Sequence, residues 1–294
     1  PGRGTESALI AIWDDLKNAV DRNGVAALLL LDLSAAFDTV DHNTLIQRLD
    51  EAGIEGTALN WTTSYLQNRS NVIHTPPFSS KPYFSKAGVP QGSIISPMLF
   101  NIYMKSLPAM INEFQLTCYN YADDTQILLK LESPKDIGNS KIISCLRAVD
   151  QWMTWSHLKL NASKMEILTC GDWKNYDPLC AWPDILGPPP KVSKEVRNLG
   201  ITMDSKLTMN AQVDKLAKSS FITMKTLRRI FPHLGFPHKV QATISLVLSK
   251  LDYANGLYHG SSLSTMKRLQ RIQNSAARLL LHVKPQAHIS PALR

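Results

Sequence analysis

Seven apolar residues follow one another from Val25 to Leu31, and Asp32 and Leu33 come directly after them. The run is far short of the roughly 20 residues needed to cross a bilayer, and it lacks the alternation of a strand with one wet face. It reads as a strand covered on both sides, so any fold this chain adopts must lay other elements against each face of it. Such a strand ends by carrying Asp32 out of the core, where a carboxylate is costly unless a cation answers it.

The rest of the chain supplies covering elements. Leu9, Ile10, Trp13, Leu16 and Val20 recur at helical spacing before Asp21-Arg22-Asn23-Gly24 breaks the pattern. Asp41 is placed to cap a helix carrying Leu45, Ile46 and Leu49, and a second helix is predicted from Thr57 to Leu66. Val72-Ile73 and Tyr83-Phe84 predict two short strands around a Pro-Pro loop. After the Gly88-Val-Pro-Gln-Gly-Ser93 loop, Ser96-Pro97 predicts the N-cap and first turn of a helix whose apolar face is Leu99, Phe100, Tyr103, Met104 and Leu107. Leu116–Tyr121 and Thr125–Leu129 predict a hairpin across Ala122-Asp123-Asp124. A helix through Ile142, Leu146, Val149 and Met153 and a strand from Met165 to Thr169 complete this part.

Residues 171–192, rich in Pro, Gly and Asp, predict a linker. Beyond it a small hairpin is expected over Val196–Met203, then helices over 207–229, 237–255 and 262–283. The 12 Lys and Arg of residues 1–150 are outnumbered by 16 Asp and Glu, whereas residues 151–294 hold 20 against 8. The first half is suited to hold cations and the second to hold phosphates, although for charge alone a solvated basic face is the simpler account of the second. With 44% apolar residues the chain is not disordered, and no stretch of it is a membrane span. Four scattered cysteines without a paired spacing point to an intracellular, reducing compartment, and the eight histidines form no zinc pattern with them. The Pro-Gly-Arg start and the Pro-Ala-Leu-Arg end read as the edges of a fragment.

Asp32 and the Asp123-Asp124 pair carry the chemical argument. Three carboxylates brought together repel, and Mg²⁺, which takes oxygen ligands and keeps waters and phosphates for the rest of its shell, relieves that repulsion. Two such ions about 3.5–4 Å apart clamp the attacking and leaving oxygens of a phosphoryl transfer. Residue types alone leave a second reading open, since Asp-Asp is a common turn pair and Asp32 can cap a neighbouring helix.

Leu31-Asp-Leu-Ser-Ala-Ala-Phe-Asp-Thr-Val-Asp-His42, the block from Gly88 to Met104, and Tyr121-Ala-Asp-Asp124 resemble, in order and spacing, three blocks of the reverse transcriptases of non-LTR, jockey-like retrotransposons. The likeness continues through Leu160-Asn-x-x-Lys164, Asn198-Leu-Gly-Ile201, Leu251-Asp-Tyr-x-Asn255 and the segment from Arg268 to Leu280. It implies an α+β fold: a right-hand polymerase palm, an antiparallel sheet with packed helices, together with partial fingers and an all-helical thumb. Residues 1–24 then correspond to residual fingers, 25–192 to a palm with a fingers segment at about 41–87, 193–206 to a primer-grip-like hairpin and 207–294 to the thumb.

The resemblance also implies an activity, RNA-directed DNA synthesis, and a set of roles. Asp32, Asp123 and Asp124 would be catalytic and bind two Mg²⁺ ions, with Mn²⁺ as the alternative, and the Leu33 carbonyl would be a further ligand. Phe37 would stand against the sugar of the incoming nucleotide and exclude a 2′-hydroxyl. Gln91 and Gly92 would pack under the templating base and nucleotide, and Lys164 would approach the triphosphate. Tyr121, Leu199, Gly200, Arg268, Arg271 and Arg278 would touch primer and template, the arginines through phosphates. The implied partners are an RNA template, a DNA primer and deoxynucleoside triphosphates, with no membrane, and nuclear work is what insertion at a chromosomal target requires. The sequence is silent on oligomeric state. The family pattern extends upstream of Pro1 and past Arg294, so a non-catalytic nucleic-acid-binding remnant is the rival reading, and a metal-dependent nuclease is a weaker third.

Overall fold

The structure, a computed structural model, describes residues 4–173, 176–179, 182, 188–284 and 288–289 of the chain. Its helices and strands in order are α1 (Thr5–Asn23), β1 (Val25–Leu31), α2 (His42–Glu51), α3 (Gly56–Leu66), β2 (Ser70–Asn71), β3 (His74–Thr75), β4 (Phe78–Ser79), β5 (Tyr83–Phe84), α4 (Ser96–Met104), α5 (Ser106–Glu113), β6 (Thr117–Tyr121) and β7 (Asp124–Leu131). There follow α6 (Ser140–Trp155), β8 (Glu166–Gly171), β9 (Lys191–Ser193), β10 (Glu195–Asn198), β11 (Ile201–Asp204), α7 (Asn210–Ile230), α8 (Phe236–Thr243), α9 (Ser249–Asp252) and α10 (Leu263–Leu281). The chain divides into two compact units, residues 23–192 and residues 1–22 with 193–294.

The unit of residues 23–192 is built on a five-stranded sheet of order β6-β7-β1-β8-β9. The apolar run forms β1, which is paired antiparallel with β7 on one side and β8 on the other. Its residues are buried almost throughout, as a strand without polar alternation requires. Leu99, Phe100, Tyr103 and Met104 of α4, Leu107 and Ile111 of α5 and Cys145, Val149 and Met153 of α6 close one core with Leu45 and Leu49 of α2. Asp41 caps α2 by accepting a bond from the Thr44 backbone N–H at 2.8 Å. Arg48 is enclosed between the rings of Tyr103 and Trp152, 4.5 and 4.9 Å from their centroids, and donates to the Ser156 hydroxyl at 2.6 Å and to the Tyr103 carbonyl. Burial lowers the guanidinium from its ordinary value, and these acceptors hold a charge that would otherwise be stranded.

Several expectations shift. Val72-Ile73 is not a strand. Pro76-Pro77 closes an inner hairpin of β3 with β4, which leaves Val72 and Ile73 in the exposed link between it and the outer β2–β5 pair. Ser96 is not a cap but the first residue of α4, behind Ile95, and is buried. Of the tryptophans on α3 and α6, Trp152 is buried, while Trp61 and Trp155 are 55% and 73% exposed. Part of the 171–192 linker, Cys180 included, lies outside the described residues. Of the rest, Trp173, Tyr176, Leu179 and Trp182 pack against the core.

In the other unit α1 lies with the C-terminal helices. Glu6 accepts a bond from the Ala254 N–H at 3.1 Å, and Ile10 packs against Gly256. The β10–β11 hairpin precedes α7, α8, α9 and α10, so from Asn210 onward the helices and strands are all helical. No helix among the described residues is long and apolar enough to cross a membrane.

Candidate active site

The end of β1 is held in place by the loop after α6. Asn161 N–H donates to the Asp32 carbonyl and Ser34 N–H to the Lys159 carbonyl, each at 2.8 Å, and Leu33 bridges Leu160. This is the physical content of the Leu160-Asn-x-x-Lys164 pattern. It fixes the backbone around Asp32 and brings Lys164 Nζ to 3.5 Å from Asp32 Oδ2.

On the other side of β1, the ladder with β7 runs to Leu31 paired with Thr125. One step further out on the two strands stand Asp32 and Asp124. Residues facing one another across an antiparallel ladder lie about 4.5–5.5 Å apart at Cα. Tyr121 pairs with Asp124, leaving Ala122-Asp123 as a two-residue loop with Ala122 at φ 53°, the left-handed conformation tight hairpins need. Thr125 Oγ1 donates to Asn120 Oδ1 at 2.8 Å and ties the two strands beside the turn. The chain geometry therefore brings the three acidic residues to one sheet end.

Their electrostatics follow. Partial burial, with the charges of Asp123 and Asp32 added, pushes the Asp124 carboxyl above the ordinary carboxylate range although one side of the residue faces solvent. Asp32 Oδ2 is buried and takes part in the ion pair with Lys164 without a hydrogen bond. Among the described residues no group of three His, Cys, Asp or Glu side chains stands in the arrangement that would hold a metal ion. The donor set itself suits a hard divalent cation: three carboxylates, one with a buried oxygen lacking a hydrogen bond and one whose ionised form is disfavoured by burial and by its acidic neighbours until a cation offsets them.

A second group lies in the same unit. Phe37 is half-buried and stacks on Phe100, with ring centroids 4.5 Å apart and planes at 18°. Its carbonyl accepts from the Val89 N–H at 2.8 Å, and Val40 accepts from the Gly88 N–H at 2.8 Å, so the Gly88–Ser93 loop is laid along residues 37–40. Gly88 at φ 90° permits this, because a Cβ there would stand 2.8 Å from the Asp38 carbonyl oxygen. Gln91 Nε2 donates to Asp38 Oδ1 at 3.1 Å, and Gly92 is exposed at φ 85°. Neither Asp38 nor Gly88 was singled out for this contact in the sequence; the glycine before the Val-Pro pair was its only signal.

Tyr121 is 38% exposed at the end of β6. The remaining candidates belong to the other compact unit. Leu199 and Gly200, at φ 42° and 85°, form the two-residue turn of the β10–β11 hairpin. Tyr253, also not foreseen, donates from Oη to the Leu199 carbonyl at 2.6 Å. Arg271 is exposed on α10 and Arg278 is half-buried. Arg268 pairs with Asp214 of α7, so it lies beside the face that α10 packs on α7.

A model of the reverse transcriptase (RNA-dependent DNA polymerase) family matches residues 1–203, which include all three aspartates and both flanking loops. The chain belongs to this family. The RNA-directed DNA polymerase from mobile element jockey of Drosophila melanogaster is 24% identical over 283 residues, 94% of this chain and 30% of that protein. A probable RNA-directed DNA polymerase from transposon BS, also of Drosophila melanogaster, is 23% identical over 287 residues, 95% of this chain and 31% of that protein. The chain thus spans about three tenths of the length of the curated relatives it matches. A solved telomerase structure from Candida albicans covers 99% of this chain and 50% of that one at 10% identity, with a TM-score of 0.41. The reverse transcriptase membership and the α+β fold expected from the sequence are both borne out.

Proposed function

We propose that this chain is the polymerising region of a larger non-LTR retrotransposon protein and extends a DNA primer along an RNA template, with two Mg²⁺ ions held by Asp32, Asp123 and Asp124. The single observation that carries the reading is the meeting of β1 and the β6–β7 hairpin, whose last ladder pair, Leu31 with Thr125, is followed on the two strands by Asp32 and Asp124. When bound, the ions supply charge neutralisation and a lowered pKa at the primer 3′-hydroxyl. The chain's own residues do the positioning. Phe37, braced by Phe100, stands against the sugar edge of the nucleotide; Gln91 and Gly92 lie under the base pair; Lys164 exchanges Asp32 for the leaving pyrophosphate and donates charge or a proton to it. In this reading residues 25–192 act as palm with a fingers segment at about 41–87, the Leu199-Gly200 turn touches the primer, and the helices from 207 on act as thumb. Work at a chromosomal target places it in the nucleus.

The second reading, a nucleic-acid binder without catalysis, draws on the excess of basic residues in the second half of the chain, 20 Lys and Arg against 8 Asp and Glu over residues 151–294. Primer extension on an RNA template with Mg²⁺ and deoxynucleotides separates the two. Incorporation that Asp123→Asn abolishes supports the polymerase; salt-dependent binding without extension by the unaltered chain supports the binder.

A further inference from the structure

A polar cavity of about 430 Å³ opens beside the Gly88–Ser93 loop, lined by Asp38, His42, Arg69, Asn71, Ser85 and Gln91 among others. Its volume falls in the range of about 300–1,000 Å³ typical of small-ligand sites. Arg69 is organised in advance. Its guanidinium lies 4.9 Å over the ring of Tyr65, donates to the Tyr65 carbonyl at 3.4 Å and forms no ion pair with a described carboxylate. Tyr65 is pinned in turn by donating to the Ser93 hydroxyl at 2.6 Å, and the Arg69 carbonyl accepts from the Ser85 N–H at 2.9 Å. An arginine set over an aromatic ring and lining a cavity is suited to a phosphodiester or to a stacked base.

We propose that this cavity takes one unpaired nucleotide of the RNA template ahead of the site of synthesis, with Arg69 as its anchoring residue. The inference rests on the polymerase reading, through the place of Gln91, which the same cavity shares with Asp38. The lining chooses the template strand over the incoming triphosphate. A triphosphate brings three or four negative charges and needs metal ions or several cations, whereas this cavity sets one arginine against the Asp38 carboxylate. A single phosphodiester charge with a base matches one guanidinium, and Asn71 and Gln91 each offer a donor and an acceptor to a base edge.

The test compares the affinity of the full chain, without nucleotides, for an RNA–DNA hybrid with a blunt end and for the same hybrid with a short 5′ RNA overhang. The unaltered chain is expected to prefer the overhang by about tenfold, as one stacked or phosphate-clamped nucleotide provides. Arg69→Ala should bring the preference to within about twofold while blunt-hybrid affinity is kept, and Arg69→Lys should recover only part of it. No preference in the unaltered chain, or a preference that Arg69→Ala leaves intact, overturns the proposal. A raised KM for the deoxynucleotide with the overhang preference unchanged overturns it too, and assigns the cavity to the triphosphate. Failure of the polymerase reading looks different: the overhang preference and its loss in Arg69→Ala would remain, with no primer extension by the unaltered chain.

Discussion

Tyr253 donates a hydrogen bond of 2.6 Å to the carbonyl of Leu199, the residue that enters the turn of the β10–β11 hairpin in the left-handed conformation. Leucine is poorly suited to φ 42°, and the cost falls within roughly 1–2 kcal/mol. The tyrosine, reaching from beyond α9, fixes the strained peptide in one orientation. Leu251-Asp-Tyr-x-Asn255 and Asn198-Leu-Gly-Ile201 are thus two sides of one contact. Tyr253→Phe should lower stability by about 1 kcal/mol, read by thermal melting. If the hairpin holds the primer, the same change weakens affinity for primer–template a few-fold and leaves deoxynucleotide KM alone.

Two glycines of one loop should respond differently to the same substitution. Gly88→Ala forces a methyl against the Asp38 backbone at a positive φ and should cost about 2–3 kcal/mol. Gly92→Ala meets open space and bears only the conformational penalty, about 1 kcal/mol. Denaturant melts of the two variants check the order, and equal losses would contradict the packing of the loop on residues 37–40.

The Asp124 carboxyl, raised by burial and by its acidic neighbours, gives the metal-free chain a definite pH dependence. A carboxyl with a raised folded value favours folding below the ordinary carboxylate pKa near 3.9, and this contribution is lost as pH rises through the raised value. At neutral pH the ionised group therefore opposes folding. Asp124→Asn should raise the melting temperature at pH 7 by roughly 1–2 °C, the gain limited by solvent screening, and should bring no gain at pH 3. Extension activity should be lost in the same variant, so stability and function move in opposite directions.

Phe37 is both packed and placed. Phe37→Ala removes its stack on Phe100 and should cost about 2 kcal/mol, less than a fully buried phenylalanine would. It should also raise ribonucleotide incorporation by about tenfold relative to deoxynucleotide, measured in single-nucleotide extension. Lost stability with unchanged discrimination would reduce Phe37 to a packing residue.

Much of this was legible in the sequence because it was written in periodicity. The apolar run of β1, the Asp41 cap and the hairpin about Asp123 needed only local rules. The small strands were misplaced because Pro76-Pro77 made a tighter inner turn than the apolar pairs suggested, and exposed Trp155 shows that helical spacing does not say which side of a helix is covered. The pairing of Arg268 with Asp214, the clamp of Tyr253 and the Gln91–Asp38 bond join residues 53 or 54 apart, so no pattern along the chain announces them. The likeness to reverse transcriptases pointed to Asp32, Asp123 and Asp124 together; the ladder register supplies the reason they are neighbours.

Counting bound Mn²⁺ by electron paramagnetic resonance, with primer–template and a deoxynucleotide present, bears most directly on whether these three aspartates share divalent ions. The unaltered chain should bind two ions, and Asp32→Asn and Asp124→Asn should each lose at least one together with primer extension. The same ion count in a chain lacking all three carboxylates would contradict the account.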